Sequence, residues 1–157
     1  MAWQRSGPLR AFRIADARHP IFDGTGAFLH GGRWNSPGRR LVYAAETFSG
    51  ALLEMLVHTN IGRTPRTQAY VEILVPETVA MEGVGSEDLP GWDARGFVAS
   101  RAYGNRWYDQ RRSAVLVVPS IVARAEHNVL IHQEHPDSSL IRASDPRPVV
   151  WDERLFR

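Results

Sequence analysis

The run GALLEMLVH at residues 50 to 58 constrains this chain more than any other stretch. Its residues are mostly good helix formers, and Thr47 or Ser49 ahead of it can cap a helix by accepting a backbone N–H. Ala51, Leu52, Leu53, Met55, Leu56 and Val57 would put apolar side chains on nearly every side of that helix. A helix apolar all round predicts burial on several faces. The rest of the chain must therefore supply layers to cover it.

Those layers read mainly as sheet. Leu9 to Ile14 is a short first strand. DGTGAFLHGG, residues 23 to 32, is glycine-rich and loop-like, and it runs into Arg33 and Trp34. Asn35-Ser36-Pro37-Gly38 is a turn, because Pro fixes φ and Gly tolerates the tight exit. Arg40 to Ala44 then reads as the second strand of that hairpin. QAYVEILV at 68–75 alternates as a half-buried strand does and stops at Pro76. Met81 to Asp93 is a loop, and 95–110, carrying Phe97, Val98, Tyr103 and Trp107, is a helix weakened by Gly104. Ser113 to Val118 is a continuous apolar strand ending at Pro119-Ser120, and Asn128 to His132 is another. The tail from Pro136 is turn-rich, with a last strand at Pro148 to Trp151. Six or so short strands and two main helices, in no regular alternation, predict an α+β fold with mixed, mostly antiparallel strands. At 157 residues the chain makes one domain, 1–157.

Composition narrows the function classes. There is no cysteine, which excludes disulfides and thiolate metal sites. All 19 basic residues are arginine, yet the formal net charge is only +2. With no lysine to titrate, a small positive charge persists to high pH, so the isoelectric point near 9.5 is no basic footprint. The arginines are scattered along the chain, which argues against direct nucleic-acid binding. No apolar run approaches the roughly 20 residues of a membrane span. The stretch MAWQRSGPLRAFR lacks a signal core, so a cytoplasmic location is expected. Neither a GxGxxG nor a GxxxxGK[ST] loop is present.

Glu54 is the most informative single residue. A carboxylate between Leu53 and Met55 in an apolar helix needs a cationic partner, a rim position or a shifted pKa. Arg33 is the natural partner, beside a glycine pair that lets backbone approach a ligand, and its guanidinium matches phosphate geometry. The alternative for Arg33 is a surface charge packed on Trp34. Arg39 and Arg40 read as solvent charges. Ser120, at the end of an apolar strand, is placed to face a cleft, but no GxSxG surrounds it to make it a hydrolase nucleophile. His127, His132 and His135 match no zinc spacing, so no metal is expected. Tyr43, Tyr103, Trp107 and Tyr108 are core residues or platforms for a flat ring.

Taken together, GGRWNSPG, LVYAAE, ALLEMLVH, SAVLVVPS and HNVLIHQEHPD resemble the RES-domain family, named for an Arg, a Glu and a Ser. Those positions here are Arg33, Glu54 and Ser120, and the resemblance runs from about Phe12 to Phe156. One departure is Gln133-Glu134, where the family more often has an Asn-Pro pair before the HPD turn. The resemblance implies a toxin of a bacterial type II toxin–antitoxin pair, with a core like that of the ADP-ribosyltransferase toxins and NAD⁺ as substrate. Members hydrolyse or phosphorolyse NAD⁺, or transfer its ADP-ribose to a protein. The implied partner is an antitoxin with an Xre-like helix-turn-helix region, whose C-terminal part blocks the active site.

The residue chemistry agrees with that implication. Breaking the nicotinamide–ribose bond builds positive charge on the ribose, which a fixed carboxylate stabilises. In this reading Glu54 faces the ribose, Arg33 binds the diphosphate or the nearby ribose and helps orient Glu54, and Ser120 holds the nicotinamide end. Tyr43 stacks on a ring, Trp34 and His58 form the wall, and Asn128 anchors the strand near Ser120. A non-catalytic module that binds a nucleotide or a partner with the same pocket is the alternative.

Overall fold

The computed structural model describes residues 7–58 and 63–157. The first six residues of the N-terminal stretch read above for a signal core lie outside them. In chain order the elements are β1 (Leu9–Asp16), α1 (Thr25–His30), β2 (Leu41–Ala45), α2 (Phe48–His58), β3 (Gln68–Val75) and β4 (Met81–Gly83). There follow α3 (Val98–Asp109), β5 (Val115–Pro119), β6 (His127–His132), β7 (Arg142–Ala143) and β8 (Arg147–Pro148). Short 3-10 turns cover Pro136–Leu140 and Glu153–Phe156.

The strands form one sheet in the order β4-β5-β6-β2-β1-β3-β7, with β8 also on β3. Every pair is antiparallel except β4 with β5. The α+β, mostly antiparallel expectation is borne out. The two main helices are α2 and α3, and a short third one, α1, occupies the stretch expected to be a loop. Gly24 and Gly31 cap its two ends and Gly26 lies in its first turn, so Thr25 to His30 make a turn and a half of helix before Gly31 stops it.

The sheet is joined weakly at one place. β1 runs along β3 for eight residue pairs, and β2 along β6 for five. Between β1 and β2 the register holds only one pair, Phe12 with Ala45. The hairpin expected of Arg33 to Ala44 does not form. β2 takes its partners from β6 and β1, and the turn region keeps only an isolated bridge between Gly32 and Asn35.

Alternation explains the packing. β5 is buried at all five positions because its two faces serve two cores. Val115 and Val117 join Ala11, Val71, Ile73, Val129 and Ile131 from both parts of the sheet. Leu116 and Val118 face Trp34, Trp92, Trp107 and Tyr108 on the side of α3. Gly104, expected to weaken α3, is where that helix presses on the backbone of Trp34, and a Cβ there would collide with the Trp34 carbonyl.

α2 departs most from expectation. Thr47 is its cap, with Oγ1 accepting from Gly50 N at 2.9 Å. Only Gly50 and Ala51 are fully buried, while Leu53 is 42% and Val57 61% exposed. One face packs on Phe12, Ile14 and Tyr70, while Leu53, Val57 and His58 stay exposed. The apolar pattern reflects a surface left open beside the site described next.

Candidate active site

A cavity of about 650 Å³ opens where β1 and β2 part, with α2 along one side and the loop before α3 along another. That size suits a drug-sized or nucleotide ligand. Glu54, Arg33, Tyr43, His58, Asn128 and Trp34 all border it, so six of the seven residues singled out in the sequence converge.

Glu54 points from α2 across to β6. Its Oε1 accepts from Asn128 Nδ2 at 2.9 Å, and among the described residues it forms no ion pair with Arg33. The expected Arg33–Glu54 pairing is therefore corrected. The carboxylate keeps a half-exposed position at the cavity and needs only one neutral amide, because water and ligand can reach it. Asn128 acts through this bond, while its backbone pairs with Ala45 and Val118.

Arg33 is held by the segment before α3. Nη1 donates to the carbonyls of Trp92 and Ala94 at 3.3 and 3.2 Å, and the guanidinium lies 4.5 Å from the centre of the Phe97 ring. Burial pushes its pKa down, opposed first by the charge of Glu54 and then by that of Asp93. The two catalytic candidates thus feel each other across the cavity without touching.

Tyr43 supports this turn. Its hydroxyl accepts from Trp34 N at 2.9 Å and donates to Asn35 Oδ1 at 2.7 Å. Gly32 leaves room for it, since a Cβ there would lie 2.6 Å from the hydroxyl. Burial raises the phenol pKa far above its ordinary value, so the group is a fixed neutral strut. Trp34 reaches the cavity edge, but its ring is enclosed, stacked at 18° on Trp92 and edge-on to Tyr103. His58 sits exposed at the end of α2.

Ser120 is not brought into the cavity. It is 2% exposed, and its Oγ accepts from Ala123 N at 3.0 Å, which shapes the turn between β5 and β6. Its neighbours Pro119 and Ile121 form the wall instead. A serine that follows a strand satisfies the local backbone before anything else.

Two cavity residues escape the sequence reading. Arg13 donates Nε to Ile21 O at 2.7 Å and Nη1 to Tyr43 O at 2.8 Å, bridging the gap between β1 and β2. Burial lowers its pKa, and the distant charge of Asp23 partly offsets this. The signal was parity: Arg13 shares the strand face of fully buried Ala11, where a charge is out of place. Phe97, assigned to a helix body, stands instead just ahead of α3 with its ring in the cavity wall.

The remaining polar candidates have local partners. Arg39 is bidentate to Asp109 at 2.9 and 2.7 Å, and Arg40 lies on the Phe28 ring and donates to Thr25, so neither is a free solvent charge. Of the histidines, His127 pairs with Glu46, His132 is buried against Tyr108, and His135 caps a 3-10 turn.

A split, mostly antiparallel sheet with helices and a cavity bordered by Glu54, Arg33 and Arg13 defines an α+β protein with one candidate site. The chain belongs to the RES domain family, whose model matches residues 10–152. The Prs ADP-ribosylating toxin of Sphingobium sp. (strain YBL2) is 38% identical over 160 residues, covering 99% of this chain and 96% of that protein. Toxin Res of Pseudomonas putida (strain KT2440) is 37% identical over 137 residues, covering 85% of this chain and 91% of that one. In fold, the chain is similar to a chain of the M. tuberculosis MbcT–MbcA toxin–antitoxin complex, with a TM-score of 0.67 at 14% identity over 91% of this chain and 85% of that one.

Proposed function

We propose that this RES-domain chain is the toxin of a toxin–antitoxin pair and an enzyme that cleaves the nicotinamide–ribose bond of NAD⁺. The observation that carries the reading is the meeting of Glu54, fixed by Asn128, with Arg33 and Arg13 around one cavity. NAD⁺ presents a diphosphate for the cations and a ribose for the carboxylate. As the C1′–N bond breaks, its electron pair leaves with nicotinamide, and Glu54 stabilises the positive charge on the ribose. An acceptor oxygen or nitrogen then bonds C1′ and gives up its proton. Residues 1–157 supply this apparatus as one catalytic domain, and the reading calls for no metal.

The acceptor is a protein side chain, supported by the likeness to an ADP-ribosylating toxin over 99% of this chain. Water and phosphate use the same bond-breaking groups. The antitoxin, Xre-like in the expected pairing, covers the mouth of the cavity in the cytoplasm. Exposed Leu53 and Val57 on α2, the second of which borders the cavity, support an apolar segment of that partner at the mouth.

Incubation of the purified chain with NAD⁺ and cell lysate tests the reading, with nicotinamide release and transfer of labelled ADP-ribose as readouts. Release with a labelled protein band is expected. Release with only free ADP-ribose would move the acceptor to water. NAD⁺ binding with no release would leave a non-catalytic binding module in its place.

A further inference from the structure

Phe97 has φ of 61°, in the left-handed region that a bulky residue enters only when its surroundings hold it there. Arg111 is the other non-glycine residue with positive φ among those described, and it closes the C-terminal end of α3, where that conformation is routine. Phe97 stands at the opposite end, at a cap position that favours Ser, Thr, Asp or Asn, and it makes no side-chain cap bond. Helix formation therefore does not account for it.

Its ring does. The ring borders the cavity and contacts two cations, its centre 4.5 Å from the Arg33 guanidinium and 5.3 Å from that of Arg101. Arg101 Nε in turn donates to Gly32 O at 2.8 Å, and Ser100 Oγ to Arg33 O at 2.6 Å. The start of α3 thus grips the backbone of the Gly32–Arg33 turn while Phe97 supports the side chain. Arg33 spends Nη1 on two long bonds to neutral carbonyls, and its Nε and Nη2 make no hydrogen bond among the described residues. A guanidinium with an unspent edge, supported on a ring, is preorganised for a bidentate anion.

We propose that Phe97 is a positioning residue for diphosphate binding, its left-handed backbone setting the ring against Arg33 so that the guanidinium keeps its free edge for the ligand. This rests on the NAD⁺ reading and assigns the diphosphate contact of that site to the Arg33–Phe97 unit.

Calorimetry with ADP and with nicotinamide, alongside NAD⁺ kinetics, tests it on the full chain and on Phe97→Leu, Phe97→Gly and Phe97→Tyr. Glycine adopts a φ of this kind without strain, so Phe97→Gly removes the ring while easing the backbone. Phe97→Leu and Phe97→Gly should weaken ADP binding by roughly 3- to 30-fold, leave nicotinamide affinity unchanged, and raise KM for NAD⁺ more than they lower kcat. Phe97→Tyr, which keeps an aromatic face, should bind ADP as the parent does. If Phe97→Gly binds ADP as tightly as the parent, or loses ADP and nicotinamide affinity alike, the proposal is overturned while the NAD⁺ reading stands. If the parent neither binds ADP nor consumes NAD⁺, the reading itself fails and the proposal with it.

Discussion

Asn128 on β6 donates its side-chain amide to the Glu54 carboxylate on α2 at 2.9 Å, across 74 positions of sequence. The bond joins the helix to the strand on the far side of β2, and among the described residues the second carboxylate oxygen accepts no hydrogen bond. A carboxylate held by one neutral donor keeps its charge available to a ligand, which an Arg33 salt bridge would have consumed.

Glu54→Gln should retain the fold and lose turnover. The isosteric amide can still accept from Asn128, and no ion pair is broken, so unfolding free energy should change by less than about 0.5 kcal/mol. Nicotinamide release should fall by roughly 100- to 1000-fold, as when one electrostatic group is removed from a preorganised site. Full activity in this variant would remove Glu54 from the mechanism.

Asn128→Ala should lower kcat, by up to about 100-fold, with little effect on KM, because the carboxylate remains but loses its orientation. Asn128→Asp should be slower still, since it sets a second negative charge against the first. Steady-state kinetics on both variants decide this, and equal KM and kcat effects would argue against a positioning role.

Tyr43→Phe keeps the ring and deletes the hydroxyl that joins Trp34 N to Asn35 Oδ1. Denaturant unfolding should show a loss of about 1–3 kcal/mol, the cost of stranding buried partners. NAD⁺ should also bind more weakly, because the turn that carries Arg33 is loosened. An unchanged midpoint would show that water replaces the hydroxyl.

Gly104→Ala introduces a Cβ against the Trp34 carbonyl, and rigid backbone on both sides leaves little room to yield. A loss of about 1–3 kcal/mol or more is expected on thermal unfolding, although alanine is the better helix former. A stabilised variant would mean that α3 can shift away from the Arg33 turn.

His132 sets an acid limit on stability. It is fully buried, stacked at 3.6 Å on Tyr108, and burial pushes its pKa down to about 4. Nδ1 accepts from Glu134 N, so Nε2 carries the proton and faces Tyr108 O. The folded pKa lies below the unfolded value near 6.5, so the neutral ring favours folding above that pH. This contribution, on the order of a few kcal/mol, is lost as pH falls from about 6.5 towards 4. Urea unfolding across that interval should show a downward slope that His132→Asn lacks.

Much of the secondary structure could be read locally. Alternation and Pro76 marked β3 at its observed ends, and the continuous apolar run before Pro119 marked β5. The residue types of the site could also be read, because a carboxylate in an apolar helix and an arginine on a glycine turn are local anomalies. α1 was hidden because it is short and glycine-rich, with Gly24 and Gly31 capping it and Gly26 in its first turn. The exposure of α2 was hidden because apolar composition does not say whether a face is buried or left open for a partner.

By itself, then, the sequence determined the main strands and the two main helices, the absence of cysteine chemistry, and six residues of the cavity, while α1 and β4 fell in stretches read as loops. These follow from nearest neighbours along the chain, where periodicity, capping and turn residues act. Only the tertiary structure decided that Glu54 bonds Asn128 and not Arg33, that Ser120 stays behind the wall, and that Arg13 and Phe97 enter the site. Those outcomes depend on β1 and β2 parting after a single pair and on the start of α3 meeting the Arg33 turn. Contacts between segments 67 and 74 residues apart are set by how the faces pack, and no local pattern encodes that.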